Sequence, residues 1–300
     1  DEAFVLYKKY SAPSFSGISD VSESVKKAER GAVLSIGEFL KIARLLRTAR
    51  LLEEYLQNHA EDGLIKGYLP KFSSNRYLED KIFTDFPSEE EVSDRASSRL
   101  HEIRRKTAQA KNKIRSSLES YIKSPNYQKY LQDNIVTIRN DRFVIPVKAE
   151  NKNEIPGLVH DTSASGSTVF IEPMSVVSAN NDLSLLASEE KHEIEAILAA
   201  LSEEVSGFTE GIKQSYFLAV YFDLLFAKAK LADKMSAVFP EINEDGIIRL
   251  SRARHPLIDK KTVVPTDISL GEKYSVLMIT GPNTGGKTVT LKTAGLLCLM

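Results

Sequence analysis

Tyr274-Ser-Val-Leu-Met-Ile-Thr280 runs straight into Gly281-Pro-Asn-Thr-Gly-Gly-Lys-Thr288, and an apolar helical run from Val289 to Met300 follows. An apolar strand, then Gly-x-x-x-x-Gly-Lys-Thr, then a helix is the context in which a phosphate-binding loop is expected. Gly281, Gly285 and Gly286 let the backbone curl so that successive N–H groups converge on one centre. The new helix adds the positive end of its dipole. The pattern assigns Gly281, Pro282, Asn283, Thr284, Gly285, Gly286, Lys287 and Thr288 to a nucleoside triphosphate, with ATP and magnesium as the expected ligands. Lys287 would reach the β- and γ-phosphates and the Thr288 hydroxyl would ligate magnesium. Both would act catalytically by stabilising charge on the transferring phosphate. With glycine at about 7% of residues, the bare pattern arises by accident in roughly one such chain in a hundred.

A nucleotide-binding domain of this kind needs several parallel strands covered by helices. Only 12 residues follow Thr288, and they include no strand ending in a magnesium-ligating Asp and no water-activating Glu. The chain also opens on Asp1 rather than Met. The expectation is a piece of a longer protein, with its last 50 or so residues incompletely covered when they stand alone.

The 300 residues carry 40 Lys and Arg against 41 Asp and Glu, a net charge of −1, which argues against a uniformly basic nucleic-acid binder. Cys298 is the single cysteine, so no internal disulfide can form, as suits a reducing cytoplasm. The most apolar window, Tyr216 to Phe226, is broken by Asp223 and followed by Lys228, so no membrane span is expected. No signal peptide is visible.

Five segments are expected: a helical core over 1–87, a long helix over 88–133, a β tip over 134–175, returning helices over 176–240, and the start of the nucleotide-binding domain over 241–300. In the first, Ser35 and Glu38 form a capping box ahead of a stripe of Ile42, Leu45, Leu46, Ala49, Leu52 and Tyr55. In the second, Pro87, Ser88 and Glu91 predict a helix start, and nothing interrupts the run until Pro125. Thirty-six residues at about 1.5 Å each would make a rod of roughly 54 Å. Its apolar seam runs from Val92 and Ala96 through Leu100, Ile103, Ala110, Ile114 and Leu118 to Tyr121.

A second rod is expected from about Val176 to Phe208, with a stripe of Leu186, Ile194, Ile197, Leu201, Val205 and Phe208. The two differ in charge. Arg95 to Lys123 holds nine Lys or Arg against Glu102 and Glu119, whereas Asp182 to Glu210 holds eight acids against Lys191. Narrow seams with opposite flanking charge predict an antiparallel helical pair.

Between the rods the pattern changes to period two. Ile135 to Arg139, Asn140-Asp141 and Arg142 to Lys148 predict a hairpin, and Gly157 to His160 and Ser167 to Ile171 two more strands. Arg139, Arg142, Lys148 and Lys152 lie on or beside the hairpin, near His160 and the hydroxyls of Thr162, Ser163, Ser165 and Ser167. Such side chains contact phosphate oxygens without reading bases, so this tip is the candidate nucleic-acid surface. His160 has no Cys or second His at ligand spacing and reads as structural. Beyond the second rod, helices are expected from Gly211 to about Val238, and a strand from Glu241 to Leu250 turning at Glu244-Asp245-Gly246.

Taken together, Gly281 to Thr288, Ala253-Arg-His-Pro-Leu-Ile258, Val264-Pro-Thr-Asp-Ile-Ser-Leu270 and Gly157-Leu-Val-His-Asp-Thr-Ser-Ala-Ser-Gly-Ser-Thr-Val-Phe-Ile-Glu-Pro173 resemble the MutS superfamily, in its second bacterial branch, the MutS-two type. The resemblance runs from about residue 15 to the end. It implies a multidomain, mainly α protein with a helical core, a lever of two long helices, a small β clamp and a dimerising P-loop ATPase domain. It further implies ATP hydrolysis coupled to clamp movement around branched or double-stranded DNA, restraint of homologous recombination, splitting of collided ribosomes through rRNA contact, and a nuclease domain elsewhere in the protein.

Three other readings compete. A mismatch-repair MutS ATPase would usually carry Met at Thr284 and Ser at Thr288. A chromosome-organising coiled-coil ATPase would place the phosphate loop before the long helices, not after them. A helical binding module without catalysis would describe the fragment taken alone.

Overall fold

A computed structural model describes residues 1–282 and 285–300; Asn283 and Thr284, both assigned to the phosphate loop, lie outside the described residues. The chain forms two compact units: Pro13–Asp223, and Asp1–Ala12 together with Leu224–Met300. The smaller unit starts with α1 (Glu2–Tyr10) and resumes after the larger one.

The larger unit is mainly helical. After α2 (Ser22–Glu29) comes α3 (Ile36–His59), whose start is set by a reciprocal capping box: the Ser35 hydroxyl accepts from the Glu38 N–H, and the Glu38 carboxylate accepts from the Ser35 N–H. Ile42, Leu45, Leu46, Ala49 and Leu52 are buried as the stripe requires; Tyr55 is half-buried and Leu56 fills the last turn. Against α3 lies α4 (Arg76–Asp85), capped by the Asn75 side chain on the Leu78 N–H. Phe39 and Phe86 stack at 5.5 Å between ring centroids.

The long helix starts ten residues later than the sequence suggests. α5 spans Ser98–Lys123, 26 residues or about 39 Å, and its N-cap is Ser97, whose hydroxyl accepts from the Leu100 N–H. Ser88 and Glu91 do not cap a helix; they pair as an antiparallel bridge. Tertiary contacts hold this segment: the Ser93 N–H donates to the Asp85 carbonyl at 2.8 Å, and Val92 is buried in the core. After the short α6 (Pro125–Gln128), the chain makes a four-stranded antiparallel sheet. Its strands are β1 (Thr137–Arg139), β2 (Arg142–Lys148), β3 (Gly157–Thr162) and β4 (Thr168–Pro173), in the order β1-β2-β4-β3. Asn140 and Asp141 take positive φ of 48° and 59°, the two left-handed residues of a tight hairpin turn.

The return helix α7 (Met174–Ser206) packs antiparallel to α5. Arg99 and Arg104 near the start of α5 pair with Glu193 and Glu190, while Ile114 and Leu118 near its end share a core with Val176, Ala179 and Leu183. The small sheet lacks a self-sufficient core. Ile145, Val147, Val169 and Ile171 pack on those same helix residues, so the far ends of α5 and α7 supply about half of the tip's apolar interior. At the other end, Leu100, Leu201 and Val205 join the core built on α3. Thr209 then opens α8 (Thr209–Met235), which leads out of the larger unit.

In the smaller unit, β5 (Ile248–Ala253) pairs antiparallel with β6 (Thr266–Leu270). The expected strand from Glu241 forms only from Ile248, because Gly246 turns the chain at φ 69° and the Asn243 side chain accepts from the Asp245 and Ile247 N–H groups. α9 (Lys287–Leu299) ends the chain, two residues ahead of its expected start. The strand expected at 274–280 is not formed. Tyr274, Val276 and Met278 are exposed, as are Leu291 and Leu299 on α9. No helix among the described residues is long and apolar enough to cross a membrane.

Candidate functional site: a glycine loop and a β tip

The glycine loop and the β tip belong to different units. Before α9, Gly281 takes φ 140° and Gly286 φ 78°, conformations that side-chain-bearing residues rarely adopt. The Gly285 N–H donates to the Pro282 carbonyl at 3.0 Å, and a Cβ at position 285 would stand 3.1 Å from that oxygen. Lys287 folds back, its ammonium donating to the Gly281 carbonyl at 2.6 Å. Thr288, next along, is exposed. The N–H groups of Lys287, Thr288 and Val289 precede the first intrahelical bond, from the Thr290 N–H to the Gly286 carbonyl at 2.9 Å, so backbone donors, an ammonium and a hydroxyl gather at one helix start. A cationic, N–H-rich cradle of this composition is suited to an anion.

At the tip, the four basic candidates are not brought together. The pairing of Arg139 with Arg142 sets both at the hairpin turn, while Lys148, opposite Thr168, lies about 20 Å away along β2. Lys152 follows, exposed, beyond the short turn Ala149–Asn151. Arg142 points inward, donating to Glu172 at 3.1 Å. Arg139 lies over the Phe170 ring at 4.2 Å and pairs with Asp161 at 3.4 Å. Lys148 donates to the Lys129 carbonyl at 3.1 Å.

The side chain that organises this end is one the sequence reading passed over. Glu172 on β4 has 0% of its surface exposed. Its carboxylate accepts from Arg142 on β2 and from Asn180 on α7 at 2.7 Å, and pairs with the His160 ring on β3. Asn180 also accepts from the Phe143 N–H at 3.2 Å and donates to the Phe143 carbonyl at 3.1 Å. Three strands and a helix thus meet at one carboxylate. A buried charge with these partners is satisfied, whereas one left alone would be costly. The available signal was an acid inside an otherwise apolar strand, since a buried carboxylate needs partners. His160 pairs with Glu172, and no group of three His, Cys, Asp or Glu fit to hold a metal occurs among the described residues.

Known proteins place the chain. It is 45% identical over its whole length to Endonuclease MutS2 of Acetivibrio thermocellus and to Endonuclease MutS2 of Clostridium botulinum, strain ATCC 19397. It is 46% identical, over 96% of its length, to Endonuclease MutS2 of Ruminiclostridium cellulolyticum. No protein-family model matches it. Likeness of this extent makes it a member of the MutS superfamily. Within that superfamily the chain belongs to the MutS2 branch, and it spans 37–38% of the length of the curated relatives it matches.

Proposed function

We propose that this segment supplies the ATP-binding loop, lever and clamp of a MutS2-type, ATP-dependent nucleic-acid clamp that works as a homodimer. The observation that carries the reading is the positive φ of Gly281 and of Gly286 at the start of α9, with the Lys287 ammonium donating back to the Gly281 carbonyl. These donors match the oxygens of a polyphosphate, and no side chain in the loop would repel one. Lys287 would exchange its present acceptor, the Gly281 carbonyl, for a phosphate oxygen, and Thr288, being exposed, is free to turn its hydroxyl to magnesium. Magnesium, when bound, neutralises charge on the β- and γ-phosphates. The backbone N–H groups of Gly286, Lys287 and Thr288 at the start of α9 would hold the phosphates.

The substrates we propose for the clamp are branched or double-stranded DNA, with restraint of recombination as the outcome; the same grip applied to rRNA would serve to split collided ribosomes. The endonuclease named in the relatives is proposed for the longer protein, and no residue of this chain is assigned to it. In the full-length protein, Lys287→Ala should lower ATP turnover by at least about a hundredfold with an unchanged circular dichroism spectrum. Turnover at the parent rate in that variant would remove the loop from the ATPase site.

A further inference from the structure

Six cations and no acid lie in the 16 residues between Glu102 and Glu119 of α5: Arg104, Arg105, Lys106, Lys111, Lys113 and Arg115. Where these side chains are engaged decides what the helix can do. Arg104 is tied to Asp94 and Glu190. Lys106 and Arg115 are paired with Glu102 and Glu119 at the two ends of the stretch. Arg105, Lys111 and Lys113 make no ion pair among the described residues.

Helical spacing sets Arg105, Gln109, Asn112, Lys113 and Ser116 on one face, at i, i+4, i+7, i+8 and i+11, opposite the buried Ile103, Ile114 and Leu118. All five are exposed. Every one carries a hydrogen-bond donor, none carries negative charge, and no aromatic ring interrupts them. The partner helix presents the reverse: α7 holds seven acids against Lys191.

We infer that the outer face of α5 is a docking surface for the sugar-phosphate backbone of duplex DNA. From Arg105 to Ser116 the face is about 17 Å long, enough to follow several phosphates of one strand. Its guanidinium, ammonium, amide and hydroxyl donors are those that bind phosphate oxygens without reading sequence. The acidic α7 repels the same backbone, so the duplex would lie on one side of the helical pair only. The hairpin turn is a poorer seat, because Arg142 is drawn inward to Glu172 and Arg139 is paired with Asp161. This inference rests on the proposed reading of the protein as a nucleic-acid clamp and names where the backbone lies.

The test measures binding of a random-sequence DNA duplex, and of an RNA duplex of the same sequence, to the full-length protein as a function of salt. For the doubly substituted R105E/K113E, the slope of log K against log salt should become shallower by about 2, and affinity at low salt should fall by more than about tenfold. The milder R105Q/K113Q should give most of that change in slope, and ATP turnover without nucleic acid should stay at the parent rate in both, which certifies the fold. Arg139→Glu should leave the slope unchanged. A slope altered by Arg139→Glu and not by R105E/K113E would overturn the inference and move the contact to the hairpin. An unaltered slope with a changed sedimentation coefficient would overturn it in favour of α7 of a second copy as the partner of this face. Parent protein that binds the RNA duplex and not the DNA would overturn the choice of DNA. Parent protein that binds neither duplex removes the clamp reading itself, a result separate from failure of this one surface.

Discussion

Two apolar runs in this chain, Val144 to Val147 and Val276 to Ile279, invite the same reading as strands and meet different fates. In β2, Val144, Ile145 and Val147 are each 0% exposed; Val276 and Met278 are 75% and 80% exposed. Composition does not separate them. β2 lies between β1 and β4, with α5 and α7 packed on the same core, so its hydrogen bonds and its side chains both have partners. The run at 276–279 has neither among the described residues. A strand is therefore a property of its neighbours as much as of its own residues. α9 nonetheless forms beside the second run, because a helix closes its backbone hydrogen bonds within itself.

Backbone exchange tests that contrast most severely. In this 300-residue chain, the amides of Val144, Ile145 and Val147 should exchange with solvent at least about a thousandfold more slowly than those of Val276, Leu277 and Ile279. Hydrogen exchange read residue by residue checks this. Comparable protection in the two runs would mean that 276–279 had found a ladder partner, and the contrast would be gone.

A second comparison, on a single helix, concerns two buried acids of α4. Glu79 lies between two guanidiniums: Arg47 Nε and Arg50 Nε each donate to it at 2.9 Å. Burial opposes its ionisation, but the hydrogen bonds from Arg50 and Arg47 outweigh burial and hold its pKa below the usual glutamate range. A group depressed in the folded state adds stability above its unfolded pKa, about 4.3, and that stability is lost as pH falls through the lower folded value. Glu79→Gln leaves two arginines facing a neutral amide and should destabilise the protein by roughly 3 kcal/mol at neutral pH. Urea unfolding at pH 7 and at pH 3 checks both magnitude and sign: the difference between variant and parent should shrink at the lower pH.

These pairs also show how far sequence carries. The capping box at Ser35 and Glu38 and the turn at Asn140-Asp141 are local devices, complete within four residues, and each forms where its pattern stands. Ser88 and Glu91 show the same box pattern and form no helix, because the Asp85 carbonyl and the core around Val92 hold the segment in turns. Asp85 and Val92 are near in sequence, but the core that buries Val92 is built by residues as distant as Phe39 and Leu201. The Glu172 cluster was illegible for a related reason, its partners being 30, 12 and 8 residues away on three different elements. The glycine loop was legible as a motif, since backbone freedom and a helix start are local, whereas the strand expected before it depends on neighbours that no local pattern contains. The four basic tip residues were read as one group because they are close in sequence, yet a seven-residue strand separates them into two pairs.

Asp85, six residues beyond Glu79, makes the opposite case and the smallest effect. It is buried, but no guanidinium among the described residues pairs with it. Burial raises its pKa; the Lys81 ammonium opposes that, and the Glu204 carboxylate adds to the rise. Lys81 is itself engaged with Glu204, which blunts its help. A carboxyl whose pKa is raised on folding holds its proton more tightly in the folded than in the unfolded state. Stability then declines as pH climbs from the unfolded pKa, about 3.9, through the higher folded value, and the loss persists at neutral pH. Asp85→Asn removes the ionisation and keeps the shape, so at pH 7 the variant should equal the parent or exceed it by up to about 1 kcal/mol. At pH 3, where the parent's carboxyl is protonated in both states, any advantage should vanish. The two acids of α4 thus predict pH profiles of opposite slope from one helix. Should Asp85→Asn cost stability at pH 7 as Glu79→Gln does, Asp85 must hold a charged partner after all, and the distinction between a paired and an unpaired buried acid on α4 fails.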